Sequence, residues 1–139
     1  MEKFFQAGKC RFPLGGRTYI MGILNVTPAS FWDGGHFFHP DKAVAHALEM
    51  PAQGADIVDI GRQSTRPGHV TIPWQEEWKR IEPVLLALQG KVQAAVSVDT
   101  FYPQVAERAL DAGADIINDV TGFSPEMWEI AARSPNCGC

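Results

Sequence analysis

Four short apolar runs in this sequence each carry, at or near their end, a side chain that can bind or titrate: Asn25, Asp59, Asp99, and Asn118 followed by Asp119. Amides and carboxylates offer acceptors to a donor-rich ligand, and a carboxylate also carries charge. A single residue of this kind at a strand end is commonly the cap of the next helix. Four at equivalent places describe a polar rim, and in parallel α/β folds such a rim is where catalysis sits.

Two segments add to the pattern. Asn25-Val26-Thr27-Pro28-Ala29-Ser30-Phe31-Trp32-Asp33-Gly34-Gly35 is long for a connection and rich in hydroxyl groups and glycine, as a cover over a ligand would be. Gly61-Arg62-Gln63-Ser64-Thr65-Arg66-Pro67-Gly68 holds two arginines and two hydroxyl side chains within eight residues. Arginine presents a planar fork of donors that matches phosphate or carboxylate, so this segment suits an anion.

The elements that must position these residues follow from periodicity. Tyr19–Val26 reads as a strand, preceded by a hairpin turn at Gly15-Gly16. Asp41–Gln53 reads as a helix with Ala43, Val44, Ala47 and Leu48 on one face and Gly54 as its stop. Ile57–Ile60 is the second strand. Between Pro73 and Gln89, Trp74, Trp78, Ile81, Leu85 and Leu88 form one apolar stripe, the clearest helix in the chain. Pro51 and Pro83 are expected to bend their helices. Ala94–Val98 and Ile116–Asn118 are the third and fourth strands, with a helix over Pro103–Ala112 between them. Ser124-Pro125 opens a fourth helix as N-cap and first helical residue.

Gly54-Ala55-Asp56-Ile57-Val58-Asp59 recurs as Gly113-Ala114-Asp115-Ile116-Ile117-Asn118-Asp119, in each case a helix-ending glycine leading into a buried strand. Apolar strands alternating with helices form a parallel sheet covered by helices. A doubly wound sheet would carry a Gly-x-Gly-x-x-Gly loop after its first strand, and the sequence has none. The expectation is an α/β fold, a parallel (β/α) barrel of TIM type. Its first four β/α units would make a half barrel of these 139 residues, a single domain ending where a fifth strand would begin, with residues 1–17 as a hairpin segment ahead of it.

Composition narrows the functional classes. Of the 139 residues 45% are hydrophobic and 20% charged, which suits one globular domain with a core. A net charge of −4 supplies no basic field for nucleic acid. No apolar run approaches the ~20 residues of a membrane span, and Lys3, Lys9 and Arg11 interrupt the N-terminus as a signal peptide. A cytoplasmic chain is expected, without nucleic-acid or membrane partners. Cys10, Cys137 and Cys139 form no disulfide framework, and Cys137-Gly138-Cys139 lacks further ligands for a metal site. His36, His39, His46 and His69 show no ligand spacing. Trp74 and Trp78 are expected in the core, and Glu76, Glu77, Lys79 and Arg80 on the solvated side of their helix.

Met21-Gly22-Ile23-Leu24-Asn25-Val26-Thr27-Pro28, with Ser30-Phe31 and Asp33-Gly34-Gly35 behind it, closely resembles the first signature of the dihydropteroate synthase family. Ser64-Thr65-Arg66-Pro67-Gly68 resembles its second, and Ser97-Val98-Asp99-Thr100 and Ile116-Ile117-Asn118-Asp119 look like its third and fourth strand ends. The likeness covers the whole chain and about the first half of a family member. It implies a step of folate synthesis in which para-aminobenzoate displaces diphosphate from a dihydropterin methyl diphosphate. It further implies that Asn25 sits at a Mg²⁺ ion and the diphosphate, and that Asp99 and Asn118 hold the pterin ring. Thr65 and Arg66 would face the diphosphate and aminobenzoate, and Phe31 and Pro67 would line the aminobenzoate pocket. Asn25, Thr65 and Arg66 are thus the implied catalytic groups.

The chain departs from the family pattern at Ala29, where an Asp is usual, and at Arg62-Gln63, where Gly-Glu is usual. Pro51 and Pro73 also replace the usual residues. A further pterin-binding Asp, a Lys and an Arg-x-His motif belong to later strands, so the chain alone is expected to turn over poorly or not at all. A methyltetrahydrofolate methyltransferase-like domain is the nearest alternative, but it has no use for an anion loop like that around Thr65-Arg66. A non-catalytic half-barrel fragment is the other. With open sheet edges, self-association into a homo-oligomer is expected. Asp59 is expected as a structural acid orienting the Arg66 loop.

Overall fold

A computed structural model of the chain describes residues 1–26, 32–33, 37–61 and 71–139. In chain order its elements are β1 (Phe4–Ala7), β2 (Cys10–Pro13), β3 (Met21–Asn25), β4 (Trp32–Asp33), β5 (Phe37–Phe38), α1 (Pro40–Ala52), β6 (Ile57–Gly61), α2 (Trp74–Leu88), β7 (Ala95–Asp99), α3 (Pro103–Asp111), β8 (Ile116–Asn118) and α4 (Pro125–Arg133). None of the described helices is long and apolar enough to cross a membrane.

Strands β3, β6, β7 and β8 form one parallel sheet in that order. Each strand joins the far edge of the one before, and the helices pack in the same sequence, α1 on α2, α2 on α3 and α3 on α4. A doubly wound sheet reverses its order midway, whereas a barrel wall grows in one direction, as here. The α/β barrel architecture read from the sequence is the one observed, four β/α units long.

Alternation along the strands divides the side chains between two faces. Leu24, Val58, Ile60, Val96, Val98 and Ile117 are buried against the helices. Ala43 and Ala47 of α1 meet them, and so does the expected stripe of α2, with Ile81, Leu85 and Leu88 fully covered and Trp74 and Trp78 packed at its margin. α1 and α2 run on through Pro51 and Pro83. Ser124 caps α4, its Oγ accepting from the Met127 N–H at 3.2 Å.

On the opposite face, Ile57, Ala95 and Ile116, near the starts of their strands, meet Phe5, Ala7, Phe12 and Tyr19. The β1–β2 hairpin therefore plugs the end of the sheet where the strands begin. Its turn falls at Gly8-Lys9, since Ala7 pairs with Cys10, and not at Gly15-Gly16; the latter pair lies in the bend between β2 and β3. The cause is tertiary. The buried Asp115 carboxylate accepts from the Val96 N–H (2.8 Å), the Lys9 N–H (3.2 Å) and the Lys9 ammonium (2.7 Å), and the turn lies directly on it. Beyond β8, Gly138 forms a parallel bridge with Ile116, so the final residues occupy the next position along the wall.

Gly8 has φ +55°, and a Cβ added to it would overlap the Asp115 carboxylate. Gly8→Ala should therefore cost about 1–3 kcal/mol. Urea unfolding measures this, and an unchanged midpoint would show that the turn does not rest on Asp115.

Candidate active site

Register fixes the site. Asn25 pairs with Gly61, Gly61 with Asp99, and Asp99 with Asn118, so the last residues of β3, β6, β7 and β8 form one row across the sheet. Their predecessors Leu24, Ile60, Val98 and Ile117 are in the helix-side core, so this row faces the other way. One row lower stand Ile23, Asp59, Ser97 and Ile116, and beneath them Met21, Ile57 and Ala95 lie toward the hairpin. The inner face rises from an apolar floor to a polar rim.

Gly61 contributes no side chain to the rim. A Cβ there would lie 2.8 Å from the Asp99 Cβ, so glycine leaves the room that Asp99 takes. Asn25 is exposed, while Asp99 and Asn118 are half-buried. Asp59 is only 3% exposed and accepts from Asn118 Nδ2 through its Oδ2 at 3.4 Å.

Carboxyls crowd this end of the sheet. Burial pushes Asp99 up from 3.8 to about 6, helped by the negative charges of Asp59, Glu77 and Asp119. Burial likewise raises Asp59, and Ser97 and Asn118 ease its charge. Ser97 lies opposite Asp59 without reaching hydrogen-bond geometry to it. Asp119 turns to its own loop, where Oδ1 accepts from Thr121 N–H and Oγ1 and Oδ2 from Phe123 N–H. At that one position the carboxylate serves its own loop, while the cap of α4 is Ser124.

Of the residues singled out from the sequence, the structure brings Asn25, Asp99 and Asn118 together. Phe31, Thr65, Arg66 and Pro67 lie outside the described residues, as do Ala29, Arg62 and Gln63. The described contact of Asp59 is with Asn118.

Sequence reasoning missed Glu77 and Thr100. Glu77, placed on the solvated side of α2, is fully buried and accepts at 2.6 Å from the Oγ1 of Thr100, the residue that follows Asp99. Arg80, also placed there, has a side chain only 11% exposed and bonds Glu76 at 3.1 Å. The reason is that α2 is flanked by α1 and α3 as well as the sheet, so more of its circumference is covered than one stripe. The signal was present: Glu77 falls three residues after Trp74 and four before Ile81, inside the apolar stripe.

A family model described as Pterin binding enzyme matches residues 21–136. The chain belongs to that family. It is 48% identical over 128 residues to the dihydropteroate synthase of Clostridium beijerinckii, covering 91% of this chain and 48% of that protein. Against the dihydropteroate synthase of Synechocystis it is 47% identical, covering 91% of this chain and 44% of the relative. Among solved structures, Xanthomonas albilineans dihydropteroate synthase with 4-aminobenzoic acid superposes with a TM-score of 0.85 at 40% identity, over 96% of this chain and 49% of that one. Burkholderia cenocepacia dihydropteroate synthase complexed with 7,8-dihydropteroate gives 0.81 at 39% identity, over 99% and 45%. The chain thus spans about half the length of the relatives it matches.

Because Asp99 binds its proton more tightly when folded, its contribution to stability is greatest below about 3.8 and declines as pH rises toward about 6. Asp99→Asn, uncharged throughout, should remove that decline. Urea midpoints of both chains at roughly pH 3 and 7, on either side of the shift, test this; equal pH dependence would mean that burial does not hold the Asp99 proton.

Proposed function

We propose that this chain forms the pterin-diphosphate side of a dihydropteroate synthase. The observation that carries the reading is the in-register rim of Asn25, Asp99 and Asn118 at the strand ends, in a chain of the pterin-binding family. A pterin edge carries an amino group and a ring N–H, and the Asp99 carboxylate and Asn118 amide are adjacent groups able to accept from them.

In the proposed reaction the amino nitrogen of para-aminobenzoate bonds to the pterin methylene, the methylene–oxygen bond to diphosphate breaks, and the amine loses a proton. Asp99 and Asn118 hold the ring in place, so that the methylene lies toward Asn25. Thr65 and Arg66 are proposed to face the departing diphosphate and the aminobenzoate, and Phe31 and Pro67 to line the aminobenzoate pocket. Cationic and hydroxyl groups of this kind favour charge that develops on a leaving group.

A Mg²⁺ ion is part of the proposal. Among the described residues no group of three or more His, Cys, Asp or Glu could hold a metal. Asn25 offers one exposed amide oxygen, which fits an ion that keeps several waters and shares its sphere with phosphate oxygens. Bound there, such an ion would neutralise diphosphate charge. A cytoplasmic setting suits these small charged substrates.

We also infer self-association. On the inner face Met21 and Ile23 are 41% and 63% exposed, and β3 pairs only with β6 among the described strands. Two copies that joined edges would cover both features. Light scattering should therefore report a dimer or larger, and a stable monomer in dilute buffer would refute the inference.

The functional reading is tested by calorimetric titration of dihydropterin methyl diphosphate with Mg²⁺ near neutral pH, where Asp99 is mostly ionised. Saturable binding is expected. Asp99→Ala should weaken it by roughly tenfold or more, the scale of a hydrogen bond to a charged group. Binding of equal strength in both chains would remove Asp99 from the site.

A further inference from the structure

We infer that Asp59 sets the orientation of the Asn118 side chain, turning its carbonyl oxygen rather than its NH₂ group toward the ligand. The two ends of a carboxamide are nearly equal in size, so packing alone does not choose between them; hydrogen-bond partners do. Asp59 stands one row below the rim, 3% exposed, with Oδ2 at 3.4 Å from Asn118 Nδ2. An ionised carboxylate only accepts, so the amide must present NH₂ to it and carbonyl oxygen to the open face. The Asn118 main chain is fixed as well, its carbonyl accepting from the Thr100 N–H at 3.0 Å.

Asp99 makes the choice matter. It is the in-register neighbour of Asn118, and its Oδ1 is buried without a partner among the described residues. Two acids thus flank one NH₂ group. In the reversed orientation that group would turn away from Asp59, and Asp99 would be the acid beside it. With the NH₂ engaged by Asp59, the rim instead presents the Asp99 carboxylate and the Asn118 carbonyl side by side. Two adjacent acceptors select a planar ligand edge with two adjacent donors, and disfavour an edge that itself carries an oxygen at one of those places. Asp59 is a positioning residue in this scheme, acting on ligand choice through Asn118 and touching no ligand.

The bearing on ligand choice rests on the pterin reading; the amide orientation does not, and the experiment separates them. In ¹⁵N-labelled chain, the Asn118 side-chain NH₂ resonances would be followed in the parent, Asp59→Asn and Asp59→Leu, with Asp59→Ala in place of the leucine variant should that not fold. Binding of 6-hydroxymethylpterin and of its 2,4-dioxo analogue, which lacks the 2-amino donor, would be titrated in parallel. Asp59→Asn offers a donor as well as an acceptor, so it holds the amide in either orientation and should move the resonances and lower the preference for the amino compound, though less than Asp59→Leu. Asp59→Leu should move the NH₂ pair and reduce that preference about tenfold. Unmoved Asn118 resonances in Asp59→Leu would overturn the inference, as would an unchanged preference. A parent chain that binds neither compound, while its Asn118 NH₂ pair still responds to Asp59, would sink the pterin reading and uphold the orientation.

Discussion

Strand side chains alternate with a period of two, so a slip of one residue in β7 would bury Asp99 among the helices and turn Val98 into the site. Everything polar on the inner face depends on parallel register being held across β3, β6, β7 and β8. The helix-side residues enforce it: Leu24, Val58, Ile60, Val96, Val98 and Ile117 are all nearly inaccessible, and none could exchange with a rim residue without burying an unpaired polar group. The rim is therefore a by-product of the core. The same hydrophobic alternation that closes the wall against its helices aligns Asn25, Asp99 and Asn118.

That alignment opposes stability locally. Asp59 and Glu77 lie close enough for their charges to hinder the ionisation of Asp99, in a part of the molecule where burial already disfavours it. Sites that bind donor-rich ligands commonly carry such tension, because the groups that await a ligand are not satisfied by the protein itself. The bond from Thr100 to Glu77 and that from Asn118 to Asp59 offset part of it, and each also holds the strand end beside a rim residue.

Much of this was legible in the sequence for a physical reason. Strands flanked by helix-ending glycines, such as Gly54 and Gly113, announce α-to-β joints wherever they occur, and the step of four and three along α2 could belong to no other element. The common row of Asn25, Asp99 and Asn118 was readable because strand ends are local features. Long-range partners are not local. Nothing near Gly8 in the sequence says that Asp115 will receive the turn, so Gly15-Gly16 looked the better hairpin. Glu77 was misplaced because its charge outweighed its position in the stripe, and Thr100, the group that accommodates that charge, lies on another element.

The anchoring of the hairpin has a consequence in time. Lys9 and Asp115 are separated by 106 residues, so a ribosome releases Lys9 long before the carboxylate that fixes it exists. At ~5–20 residues per second the interval is roughly 5–20 s. Phe5 and Phe12, which the finished molecule covers with Ala95 and Ile116, spend that interval without their cover. The hairpin is thus secured only once β8 has been made, and until then the nascent chain carries an uncovered aromatic pair.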